Sequence, residues 1–187
     1  MLILVQAGPA GLHCALERKV MNRREIRENV FKMLFRVEFY KGKDGYKEEE
    51  LKEQLGMFEY ELKLENDPDS LSEEAAGAQE DPQAAKLLAA DRERLNKDMA
   101  YITSKYTDIM AHIEEIDLAI NQVTTGWKTS RMAKVDLSII RLAVYEIRYE
   151  EDIPVKVSIN EAVELAKKYG SDDSAAFVNG ILAKFTR

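Results

Sequence analysis

Cysteine and histidine are the scarcest functional residues in this chain. Across 187 residues there is one cysteine, Cys14, and there are two histidines. A single thiol excludes an intramolecular disulfide framework and fits a reducing, cytoplasmic compartment. One cysteine with two histidines is also too few for a zinc site of the usual kind. Only nine glycines and four prolines are present, and no Gly-rich phosphate loop, His-x-x-x-His pair or nucleophile–histidine pairing is found among them. Nothing therefore selects an enzyme, a metal or a cofactor. No apolar run is long enough to span a bilayer. Residues 1–20, MLILVQAGPAGLHCALERKV, begin apolar, but no Lys or Arg precedes the run, and Gln6, Gly8, Pro9 and Gly11 break it. That excludes a secretory signal. With Met21 directly before the first helix start, residues 1–20 read as an extension or start-site artefact, disordered and without a targeting role.

What the chain does have is helix-forming composition. Alanine, leucine, glutamate and lysine dominate, which predicts an all-α fold. Asn22 followed by Glu25 forms a capping-box pattern. From there Ile26, Val30, Met33, Leu34 and Val37 make one stripe at helical period. Glycines in KGKDG (41–45) end that helix, and a second runs from Lys47 to about Leu64. Helix resumes from about Gln83 to Ser104. It starts again near Thr107, with Ile109, Ile113, Ile116, Ile120 and Val123 on one face. A break at Gly126 precedes an apolar helix over about 137–150. Ser158 with Glu161 forms another capping box for a helix over 159–169, closed by Gly170 as a left-handed cap. A last helix spans about 173–185, capped by SDDS.

Charge is segregated along this framework. The formal net charge is −7. Residues 59–81 hold nine acids against the single Lys63, and the stretch 65–82 between helices reads as a solvated acidic insertion. By contrast, Arg23, Arg24, Arg27, Lys32 and Arg36 crowd the first helix against Glu25 and Glu28. Cations at a helix N-terminus oppose the dipole, so Arg23, Arg24 and Arg27 are poor choices for folding. Arg24, Phe31 and Phe35 line one flank, a pattern suited to single-stranded RNA: guanidinium for phosphate, flat rings for unstacked bases. The alternative is that the rings are buried by another helix and the arginines are only solvated. Asp136 reads as the N-cap of the apolar helix, a position that can also be an interface residue. Trp127 reads as core, His112 as a surface or rim histidine, and Gly180 as a site of close helix packing.

Several segments together carry a family likeness. RREIRENVFKMLF, DLSIIRLAVYEI (136–147), IPVKVSINEAVELAKKYG (153–170) and SAAFVNGIL (174–182) resemble the NusB family of bacterial transcription antitermination factors, over residues 21–187. The resemblance implies about seven helices in two three-helix bundles packed across each other. It also implies a non-enzymatic role, binding boxA RNA of ribosomal RNA leaders with NusE, a small-subunit ribosomal protein, in the transcription elongation complex. By position, Arg23, Arg24 and Arg27 inherit RNA binding, and Lys32 stands where the family often has glutamine. Phe177 and Asn179 match the FVNG element near the RNA path, just after Asp173. Asp136 and Phe35 match positions that meet NusE, Phe35 standing where tyrosine is usual. Two other readings remain: the RNA-binding module of a ribosomal-RNA cytosine methyltransferase without its catalytic domain, and a homodimeric scaffold that hides the arginine helix.

Overall fold

The apolar stripes decide which faces meet. The computed structural model describes residues 21–42, 45–66, 82–124 and 126–186. Residues 1–20, with Cys14, and residues 67–81 of the acidic segment lie outside the described residues. Seven α-helices are present among those described: α1 Arg23–Val37, α2 Glu48–Asn66, α3 Pro82–Ala111, α4 Ile113–Val123, α5 Lys134–Tyr149, α6 Val155–Tyr169 and α7 Ser174–Leu182. Short 3₁₀ turns lie at Thr129–Arg131 and Ala183–Thr186. Helices α1, α2 and α3 pack on one another, as do α5, α6 and α7, and α1 and α3 lie against α5. Helix α4 leads from α3 back onto α5. No described helix is long and apolar enough to cross a membrane.

Helix α5 is the centre of the molecule, buried without interruption from Asp136 to Glu146. A helix covered on all sides must satisfy its polar side chains inside the protein. Ser138 Oγ donates to the Lys134 carbonyl at 2.8 Å. Arg141 forks onto Asp117 of α4, with both bonds at 2.7 Å, and also pairs with Glu38 just past α1. Glu146 accepts from Arg27 of α1 and Lys105 of α3. These buried pairs fix α1, α3 and α4 on α5 at defined registers.

Several expectations change at element boundaries. The two segments before and after residue 105 are one helix, and the break falls at His112, whose Nδ1 bonds the Asp108 carbonyl. The isoleucine stripe continues across it, with Ile109, Ile113, Ile116 and Ile120 all buried. Asp136 is not an N-cap: α5 starts at Lys134, behind Ala133, which places Asp136 in its first turn. Ser158 caps nothing either. Pro154 is the N-cap of α6 one turn earlier, ahead of the helix's own hydrogen bonds, so its missing N–H costs none of them, and Ser158 is buried within the helix. Gly170 is extended (φ −90°, ψ −172°) rather than left-handed. Its role is close approach, because a Cβ there would lie 2.3 Å from the Ser174 Cβ. The final helix ends at Leu182 before its 3₁₀ turn, and Asp173 makes no side-chain cap; Ser174 Oγ instead accepts from the Ser171 N–H. Gly180 faces open space, and Trp127 is exposed on the loop behind Gly126, whose φ is +83°.

Candidate nucleic-acid interface

The candidate interface begins at the start of α1. Asn22 Oδ1 accepts from the N–H groups of Arg24 and Glu25, and a Glu25 carboxylate oxygen accepts from the Asn22 N–H at 2.9 Å. The capping box is therefore present, with Arg23, Arg24 and Arg27 in the first two turns. The three arginines then diverge. Arg23 is exposed. Arg24 is also exposed, but its Nε and Nη2 fork onto Glu161 of α6 at 3.0 and 2.9 Å. Those bonds raise the Arg24 pKa and hold the Glu161 carboxyl below its ordinary range.

Arg27 is only 7% exposed. Its Nε donates to both oxygens of Glu146, at 2.8 and 3.1 Å, and Lys105 Nζ donates to Glu146 and Glu150 at 2.7 and 2.8 Å. Two of the arginines are thus neither bare nor simply solvated: carboxylates from α6 and α5 offset the dipole's opposition to them.

Farther along α1, Lys32 is exposed and pairs with Glu28 at 3.2 Å. Glu28 also accepts from Lys168 and Tyr169 of α6. Burial alone would raise the Glu28 carboxyl, but the bonds from Lys168, Tyr169 and Lys32 hold it down to about 2.

Phe31 is buried, its ring 5.0 Å from that of Tyr169, so in this packing it offers no face to a base. Phe35 is half-buried and meets Phe39 edge-on at 5.1 Å. Phe39 is 64% exposed, Tyr40 beside it is exposed, and Lys134 Nζ lies 5.3 Å from the Phe39 ring. Lys134 Nζ also donates to the Glu38 carbonyl at 2.6 Å, joining the end of α1 to the start of α5. Two residues on, Asp136 is buried and its Oδ1 has no hydrogen-bond partner. The structure thus brings Phe35 and the first turn of α5 into one region. Sequence reasoning misses Phe39 and Tyr40 there; the signal that could have found them is the four-residue spacing of Phe31, Phe35 and Phe39.

Phe177 and Asn179 lie on α7, which packs against α6. Phe177 is half-buried, its ring 5.6 Å from Trp127 and steeply inclined to it, while Asn179 is exposed. Among the described residues, no group of three His, Cys, Asp or Glu side chains is placed to hold a metal.

Comparison with known proteins gives the arrangement a family. A family model described as the NusB family matches residues 57–187. The transcription antitermination protein NusB of Agathobacter rectalis is 51% identical over 165 residues, 88% of this chain and 99% of that protein. The Lachnoclostridium phytofermentans protein of the same name is 43% identical over 88% of this chain and 98% of its own. A solved structure of T. maritima NusB superposes with a TM-score of 0.60 at 30% identity, covering 88% of this chain and 90% of the other. With most of its length matched by the family model, and relatives above 40% identity along nearly their whole length, this chain is a member of the NusB family.

Proposed function

We propose that this protein is a transcription antitermination factor that binds boxA-type single-stranded RNA together with NusE. The observation that carries the reading is the capped N-terminus of α1, which presents Arg23 and Arg24 on the surface with Arg27 beneath them. Its relatives are named as transcription antitermination proteins, and the family acts by binding, without a catalytic step. Arginine–phosphate pairing supplies affinity, while base contacts and the protein partner supply selectivity. Lys32 extends the basic flank along α1, and Phe177 with Asn179 supplies contacts from α7. Phe35, joined by the exposed Phe39 and Tyr40, forms an aromatic surface for NusE, with Asp136 buried in the first turn of α5 beside it. No observation favours the methyltransferase-module reading.

The test is titration of the protein, alone and with NusE, against a short boxA RNA and a scrambled control at two salt concentrations. The proposal expects boxA to bind more tightly than the control, with NusE adding affinity and salt removing it. Equal affinity for both RNAs, with and without NusE, overturns it.

A further inference from the structure

Beside the arginine helix lies a groove of about 240 Å³ between α1, α3 and the turn after α5. Its rim carries Arg23, Ile26, Tyr101 and Ile153, and its floor is formed by Arg27, Lys105 and Glu146, all three buried. The floor holds an unspent set of donors. Arg27 uses its Nε alone on Glu146, and its Nη1 and Nη2 bond to no other described residue. A guanidinium buried beyond nine-tenths, with its Nε fixed by a carboxylate and its residue lining a groove, is a pre-oriented fork. Lys105 lacks that freedom, because Glu146 and Glu150 already hold its ammonium.

We propose that this groove seats one unstacked base of the bound RNA, and that Arg27 reads its edge rather than neutralising a phosphate. This rests on the RNA-binding reading above. The chemistry favours guanine, whose O6 and N7 present two adjacent acceptors to an arginine fork. Tyr101, on α3 and 46% exposed, offers a ring for stacking, and Ile26 and Ile153 offer apolar flanks. At about 240 Å³ the groove is smaller than the roughly 300–1,000 Å³ of drug-sized ligand pockets, a scale that suits one base and excludes a duplex. Arg23 at the rim is placed for the phosphate of the same nucleotide. The resulting division of labour is local: Arg23 and Arg24 meet the backbone, while Arg27 and Tyr101 meet a base.

Tyr101 is the residue to test, since it is exposed and touches the buried ion pairs only through its hydroxyl, 3.5 Å from Glu150, and its ring, 5.9 Å from Lys105 Nζ. The assay measures affinity for a short boxA RNA and for a scrambled RNA of equal guanine content, across a salt series. Replacement Tyr101→Ala is expected to weaken boxA binding about tenfold, the scale of removing one base stack. Its salt slope should stay unchanged, since removing a phosphate-neutralising cation would reduce the slope on single-stranded RNA by about 0.7. Tyr101→Phe, which keeps the ring, should bind as the unaltered protein does. In the unaltered protein, 7-deazaguanine at one guanine should reproduce the loss, and Arg27→Lys, which retains the charge against Glu146, should abolish that sensitivity. Undiminished affinity in Tyr101→Ala overturns the base seat while leaving a boxA preference intact. A fall in its salt slope likewise overturns the seat, by assigning the site to phosphate. Equal binding of both RNAs with full Tyr101 dependence supports the seat and removes the boxA reading instead.

Discussion

Arg24 and Arg27 are three residues apart and are held in opposite ways. The Arg24–Glu161 pair is exposed on the arginine side, and a surface pair of this kind adds little to stability. Arg24 can therefore exchange its carboxylate for a phosphate at little cost to the fold. Arg27 cannot be moved so cheaply, because removing one partner of a buried ion pair costs about 3–5 kcal/mol, and Glu146 is 1% exposed. The expectation that the arginines are poor choices for folding fits the exposed Arg23, fits Arg24 in part and does not fit Arg27. Gly170 shows a second constraint at this scale. Its added Cβ would also lie 2.7 Å from the Ala166 carbonyl oxygen, a backbone atom that cannot swing aside. Gly170→Ala is expected to destabilise the protein by about 1–3 kcal/mol, lowering the melting temperature by about 2–4 °C per kcal/mol. An unchanged melting temperature would mean that the α6–α7 turn gives way without penalty.

At the scale of the element, the first turn of α5 is where a folding role and the proposed NusE contact coincide. A carboxylate in a first helical turn is favoured by the dipole, so Asp136 has a folding role even without a side-chain bond. Its buried Oδ1 remains without a partner, and a group in that state costs free energy unless something else supplies a donor. Asp136→Asn is expected to weaken NusE binding several-fold beyond any change in stability, measured by titration alongside thermal melts. Unaltered NusE affinity would leave Asp136 a folding residue only. Asp136 also shows what the sequence can and cannot reveal. Period alone locates the stripes of α1 and α4, because burial of one face is a local property of the pattern. The same pattern starts α5 too late because Asp136 resembles a cap, and only tertiary packing shows that the helix extends farther back. That limit applies equally to Ser158 and Glu161, a local capping pattern whose glutamate is used across helices by Arg24. Trp127 reads as core because hydrophobicity does not encode location, and it lies exposed against Phe177.

For the whole molecule, α5 acts as a buried axle whose charged side chains hold α1, α3 and α4 in register. The seven-helix architecture is legible from composition and apolar period. Those charge networks are not, since each joins residues 24 to 119 positions apart. The consequence for function is that α1 is held firmly beneath the arginine flank: the capping box fixes its start, while the buried Arg27–Glu146 pair fixes it against α5. A surface mounted in this way can meet RNA without ordering first, which spares part of the entropy cost of binding. The most direct test of the central claim removes the exposed charges and leaves the buried one. BoxA affinity would be measured across a salt series for the unaltered protein and for the double variant Arg23→Ala with Arg24→Ala. The expected result is weaker binding, a salt slope reduced by about 0.7 for each phosphate no longer neutralised, and a melting temperature within a few degrees of the original. Full boxA affinity with an unchanged slope would contradict it, and would place the RNA surface elsewhere on the molecule.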